Sequence, residues 1–271
     1  MAPLPISFVS DYGLEDEWVG VCHGVIERIA PGARVIDVTH GVPAHDVMAG
    51  ALALRNAMRY LPHGVHMAVV DPGVGTARRA LALRCANGEL LVGPDNGLLW
   101  PAARVCNGLD AAVDISESPL RLEPVSHTFH GRDLFAPVAA ALASGERLES
   151  AGHPIAVSGI VPLELPAPLV QGSEVIAEVV SVDRFGNLGL QLEPTKLESA
   201  GLSPGQRLEV SAGERSVRAI WGNVFRDAGE GEALVFVDSS GMIAVAVDRG
   251  RAADALAAGR GTRLRLRPWS H

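Results

Sequence analysis

Val65-His-Met-Ala-Val-Val70 runs straight into Asp71-Pro-Gly-Val-Gly-Thr-Ala-Arg78, and the fold turns on how that join is read. The first six residues read as a short buried strand, which Pro72, Gly73 and Gly75 bring to an end. A carboxylate therefore stands at the strand's end, with a guanidinium seven residues further on. The two glycines between them are expected to let the backbone approach a small ligand closely. Toward the N terminus, Ile6–Ser10 reads as another short strand, followed by Asp11-Tyr-Gly13. A helix is predicted from Glu15 to Ile29, with Trp18, Val21, Val25 and Ile29 at helical spacing, stopped by Pro31-Gly32. Val35–Val38 is the next strand and Asp46–Tyr60 the next helix, ended before Pro62. This alternation predicts an α/β layer with a largely parallel sheet. In such sheets ligands collect beyond the carboxyl ends of the strands, where Asp11 and Asp71 both fall.

Toward the C terminus, Leu81–Arg84 and Leu90–Gly93 read as a hairpin before Pro94-Asp-Asn-Gly97. A second polar turn, His127-Thr-Phe-His-Gly-Arg-Asp133, opens a predicted helix over Leu134–Ala143, with Pro137 in its first turns. If the two turns meet, Asp71, Arg78 and His130 surround one water molecule. Pro162, Pro166 and Pro168 then mark an extended linker over residues 161–172, dividing a domain 1–160 from a domain 173–271. Beyond it the predicted elements are strands: Val175–Val182, Arg207–Val210, Val217–Ile220, Ala233–Val237, Ile243–Val247 and Arg263–Leu266. Turn signals recur between them, which predicts an all-β barrel or sandwich; only Ala252–Ala258 reads as helix.

Bulk properties bound the function. The 271 residues are 48% hydrophobic but only 4% aromatic, so a core of Val, Leu, Ile and Ala is expected. A net charge of −8 argues against nucleic-acid or membrane-surface partners. Three widely spaced cysteines, Cys22, Cys85 and Cys106, argue against a disulfide framework or a Cys-rich zinc site. The start lacks a basic targeting segment, and no apolar run is long enough for a membrane span, which predicts a cytoplasmic location. P-loop, dinucleotide-fingerprint, nucleophile-elbow and HExxH signatures are absent.

The remaining motifs each carry two readings. Asp71 with Arg78 is either a turn held by an ion pair or a water-binding pair. His127, His130 and Asp133, spaced by three, invite a metal, yet loop histidines more often make structural hydrogen bonds. His40 and His45 read as surface or capping residues. In the second domain Asp183-Arg-Phe-Gly-Asn187 is either a turn, with Gly186 and Asn187 at positive φ, or a recognition loop. In the latter reading Phe185 offers a stacking face, Asn187 an amide for a base edge and Asp183 a carboxylate for an ammonium. Asp238-Ser-Ser-Gly241 is likewise a turn or a carboxylate cradle.

Six segments in order carry a resemblance: Ser10-Asp-Tyr-Gly13, Asp71–Thr76 with Arg78, Gly93-Pro-Asp-Asn-Gly-Leu98, Thr128-Phe-His-Gly-Arg-Asp133, Asp183–Asn187 and Ser239-Ser-Gly241. Together they resemble the S-adenosyl-L-methionine hydroxide adenosyltransferases, relatives of the fluorinase and chlorinase. The resemblance implies an α/β domain, a C-terminal β-barrel and a homotrimer with sites between subunits. It implies attack of water on ribose C5′ of S-adenosyl-L-methionine, giving adenosine and L-methionine without a cofactor or metal; adenosine retained in the site is expected. Asp71, Arg78 and His130 match the water-activating trio and Asp11 the ribose-diol carboxylate. Asp183, Phe185, Asn187, Phe225, Ser239, Ser240 and Val247 are the other substrate-binding candidates. Gly131 stands where the halogenases resembled carry a small hydroxyl residue, which with the intact trio favours water over halide. Departures from the family pattern, Gly189-Leu-Gln191 and Met242 with Ala244, fall on the substrate-binding side, and His45 replaces a usual aromatic. A halide-using synthase and a non-catalytic nucleoside-binding protein are the competing functions.

Overall fold

The computed structural model describes residues 2–229 and 231–269, apart from the side chain of Phe225. The chain divides into two compact units, residues 1–163 and 164–271.

In the first unit the strands are β1 (Ile6–Ser10), β2 (Val35–Thr39), β3 (Val65–Val69), β4 (Ala80–Cys85), β5 (Leu90–Pro94), β6 (Leu109–Asp114) and β7 (His153–Ile155). The helices are α1 (Trp18–Ile29), α2 (Val47–Met58), α3 (Trp100–Val105) and α4 (Ala136–Ala143). One sheet runs β2-β1-β3-β5-β4-β6-β7. Its first four strands pair in parallel, as the strand–helix alternation predicts, and β4, β6 and β7 extend it antiparallel. Period-two alternation sorts the side chains: Ile6, Phe8, Val65 and Met67 pack with α1 and α4, while Val9 and Ala68 face α2 and α3. Both faces are covered at the centre of the sheet, which is why the parallel strands β1, β3 and β5 are buried along nearly their whole length, while the edge strand β2 is only half-buried. Asp46 caps α2 by accepting the Ala49 N–H at 2.9 Å. The helix predicted from Glu15 begins only at Trp18, and α3, β6 and β7 were not predicted.

In the second unit the strands are β8 (Leu169–Gln171), β9 (Glu174–Val182), β10 (Leu188–Leu190), β11 (Arg207–Ala212), β12 (Arg215–Trp221), β13 (Ala233–Val237), β14 (Ile243–Val247) and β15 (Arg263–Pro268). Seven of them close on themselves in the order β9-β10-β14-β13-β12-β11-β15, since β9 pairs with both β10 and β15. The all-β second domain is thus a barrel, filled by Val175, Ala177, Val210, Val235, Leu264 and their neighbours. Strand β8 hairpins onto β9 and takes up residues 169–171 of the segment read as linker. Ala252–Ala258 is not the only helix here. Pro194 starts α5 (Pro194–Ser199), its fixed φ and missing N–H being suited to a first helical position. The predicted helix itself shortens to α6 (Ala252–Ala255). Among the described residues no helix is long and apolar enough to cross a membrane.

Candidate functional site

The two polar turns of the first unit meet. Gly75, at φ 76, lies so close to the second turn that a Cβ there would sit 2.5 Å from the His127 carbonyl oxygen. The close approach expected for a ligand is therefore made, at Gly75, to the neighbouring loop. Arg78 Nε donates to Asp71 Oδ1 at 3.1 Å and its Nη2 to Asp71 Oδ2, a two-pronged pair whose side chains are only 9% and 5% exposed. The same Nη2 lies 3.2 Å from His130 Nδ1, and Nη1 donates to the Arg79 carbonyl at 3.0 Å. The guanidinium also stands over the Phe135 ring, 5.5 Å from its centre.

This geometry fixes the state of His130. Arginine has no acceptor, so it donates to Nδ1, and the neutral ring then carries its hydrogen on Nε2. Burial, then the Arg78 cation, lower the His130 pKa; Asp71 and Asp133 oppose them without reversing the shift. The ring is thus a neutral donor with Nε2–H free to hold an oxygen.

A wide helical turn, Gly131–Phe135, delivers His130. Its cause is Pro137, which has no N–H for the Asp133 carbonyl four residues back; that carbonyl accepts instead from Leu122 N–H at 2.8 Å. His127, His130 and Asp133 do not gather as metal ligands. The buried Asp133 carboxylate is taken up by Arg132 at 2.6 and 2.8 Å and by Ser126 N–H at 2.8 Å. Among the described residues the one group of three converging metal-type donors is elsewhere, at His23, Asp37 and His40.

Asp11 follows β1 and accepts the His45 N–H at 2.9 Å; His45 takes φ 65 to offer it. Tyr12, within the Ser10–Gly13 motif, shapes the site. Its ring packs edge-on against Phe8, Trp18 and Phe129, with centroids 5.8 to 6.2 Å away. A Cβ at Gly131 would lie 2.1 Å from its phenol oxygen. Burial first, then Cys22, Asp11 and Asp71, hold that phenol well above its ordinary pKa. The signal was available in Ser10-Asp-Tyr-Gly13, but no periodicity assigns a task to a motif aromatic.

In the second unit Asp183, Phe185, Asn187, Ser239 and Val247 line one cavity of about 860 Å³. Asp183 is bound up in its own loop: Oδ1 accepts from Phe185 N–H and Asn187 N–H at 2.8 and 2.9 Å, and Oδ2 from Asn187 Nδ2 at 2.7 Å. Of the turn residues, Gly186 takes positive φ (81) and Asn187 does not. Phe185 is 62% exposed, an open stacking face. Ser240 is not a lining residue; its N–H and hydroxyl hold Asp238 Oδ1 at 2.8 and 2.5 Å. The Phe225 side chain lies outside the described residues. At the departure Gly189, Ser181 Oγ lies 2.2 Å from where a Cβ would be, and both residues line the cavity.

Residues 6–152 match the SAM hydroxide adenosyltransferase N-terminal domain and residues 177–265 the corresponding C-terminal domain. The chain is 51% identical, over 98% of its length and 99% of the relative's, to an (R)-S-adenosyl-L-methionine hydrolase of Salinispora arenicola. A fluorinase of Nocardia brasiliensis is 29% identical, with 89% of each chain covered. Among solved structures, an uncharacterized conserved protein from Thermotoga maritima superposes with a TM-score of 0.90 at 35% identity, covering 96% of this chain and 99% of that one.

Proposed function

The chain belongs to the SAM hydroxide adenosyltransferase family, and on that premise we propose how it hydrolyses S-adenosyl-L-methionine to adenosine and L-methionine. The observation that carries the mechanism is the contact of Asp71, Arg78 and His130. A sulfonium already leaves well, so neither metal nor cofactor is needed; the enzyme has to hold one water in line with the C5′–S bond and take its proton. The water oxygen bonds to C5′ as the C5′–S pair withdraws to sulfur, leaving methionine as a neutral thioether. His130 donates Nε2–H to the water oxygen. Asp71 receives the proton, because the histidine's other nitrogen is already engaged by Arg78. Positioning of this kind contributes several kcal/mol.

Asp11 binds the ribose diol, and Phe185 and Asn187 bind the base. Asp183 holds that loop in shape. The preferred substrate is the R sulfonium, the form in the name of the Salinispora arenicola relative. The protein works as a cytoplasmic homotrimer with sites between subunits and retains adenosine.

Oxygen-18 water tests the reading, with an epimeric mixture of S-adenosylmethionine and with chloride present and absent. Adenosine labelled at the 5′ oxygen, with methionine, and the S epimer left over are expected, unchanged by a strong chelator. A 5′-chloro nucleoside would assign the halogenase activity. Bound nucleoside without turnover would leave only a binding protein.

A further inference from the structure

We propose that His23, Asp37 and His40 form a binding site for one divalent transition-metal ion, zinc as the first test, apart from the Asp71–Arg78–His130 group. His23 lies on α1, Asp37 on the edge strand β2, and His40 just past that strand's end. Their donor atoms converge: His23 Nε2 and His40 Nε2 lie 2.9 and 3.0 Å from the same oxygen, Asp37 Oδ1. Donors sharing a metal through bonds of about 2.0–2.1 Å stand roughly 3.0–3.4 Å apart; the two His–Asp distances are close to that, and all three donor atoms lie within 4.8 Å of one another.

The second observation is at His40. Its ring is buried, and its Nε2 is the one buried side-chain nitrogen or oxygen among the described residues without a hydrogen-bond partner. Asp37 Oδ1 is near enough, but the alignment of a hydrogen bond is missing, whereas His23 achieves it. Ser10 Oγ lies 2.7 Å from His40 Nδ1. With Nδ1–H donating to that hydroxyl, Nε2 holds a lone pair, and an ion beside Asp37 Oδ1 would give this buried atom the partner it lacks.

Two imidazoles and a carboxylate suit zinc, cobalt or nickel and disfavour magnesium or calcium, which take oxygen donors. The buried side of the site is braced as metal-ligating histidines are. Ser10 Oγ holds His40 Nδ1, and Phe8 packs its ring at 4.6 Å and 72°. The other side is open, His23 and Asp37 being about 35% and 41% exposed, so an ion has an entry path and water completes its shell. The role is structural. The His40 carbonyl accepts Gly13 N–H at 2.8 Å, and Ser10 Oγ accepts Tyr12 N–H at 3.3 Å. A metal on His40 therefore stiffens the turn that carries Asp11.

The test is titration of the metal-stripped full chain with zinc against a chromophoric chelator, with cobalt absorption as a report of the ligand set. One tight equivalent is expected, with a melting temperature raised by several degrees on saturation. His23→Gln, at a partly exposed position, should lower affinity about ten-fold or more and abolish the thermal shift, while His130→Ala keeps both. Asp37→Asn guards against a folding artefact at one position and should also weaken binding. Affinity unchanged in His23→Gln and Asp37→Asn, or lost in His130→Ala instead, overturns the assignment, as does a wild-type chain that binds zinc no better than His23→Gln.

Discussion

Burial, and after it the charges of Arg78 and Asp71, set how His130 titrates, so its protonation reads out the state of the trio. Burial and then Arg78 depress its pKa, so the neutral ring persists below the pH at which a free histidine would charge. The acid limb of kcat should therefore lie below the ordinary imidazole range. Arg78→Gln removes a cation and should move the His130 titration, followed by NMR, to higher pH. Asp71→Asn removes an anion and should move it lower; shifts of the opposite signs would refute the arrangement. Asp71→Asn should also reduce kcat by about 10²–10⁴-fold as the proton acceptor is lost. Beside this group, Gly131 has no room for a side chain. A Cβ would lie 2.1 Å from Tyr12 Oη and 3.0 Å from Cζ, and Tyr12 is wedged among three aromatic rings. Gly131→Ser is expected to cost about 1–3 kcal/mol in denaturant melts and most of the activity, without conferring chloride transfer. Tyr12→Phe in the same chain should recover part of the stability, because the phenol oxygen is the nearest obstacle.

Elements, rather than single residues, decide whether the trio assembles at all. The loop after β3 docks on the turn before α4 through Gly75, whose φ of 76 and contact with the His127 carbonyl exclude a Cβ. Gly75→Ala should cost about 1–3 kcal/mol and lower kcat more than it raises KM, because it parts Arg78 from His130. An unchanged kcat would mean that the docking is irrelevant to chemistry. Neither loop shows this in sequence: a glycine announces freedom of backbone, not what approaches it. The regular elements were more legible. Ile6–Ser10, Ala233–Val237 and Ile243–Val247 fall where their apolar runs predict. The missed β6 reads Leu-Asp-Ala-Ala-Val-Asp, weak in β-formers, and exists because β4 supplies a partner from Leu81 to Cys85. The turn Gly131–Phe135 was hidden for a similar reason. Pro137 was visible, but the Leu122 N–H that satisfies the freed carbonyl comes from a distant loop.

At the scale of the molecule, the candidate residues are shared between two units with separate cores, the trio in one and the cavity in the other. Order along the chain made the family legible, because six short motifs in sequence are specific where each is weak. It could not reveal which residues of the second unit face a ligand and which only hold turns, since Asp183 and Ser240 are turn-formers in composition and in fact. The proposed trimer predicts that a neighbouring copy covers apolar surface on each unit. Leu14 and Trp18 stand 76% and 43% exposed close to Tyr12, and Phe185 and Val237 62% and 47% exposed in the second unit. Large apolar side chains left in water beside site residues gain from burial by a neighbouring copy. Sedimentation should give three copies per particle, and specific activity should fall on dilution as the particle separates. Leu14→Glu places a charge at the most exposed of these positions, and should shift the chain toward monomer and lower activity in step while far-UV dichroism stays unchanged. A fully active monomer would overturn the trimer as the active form.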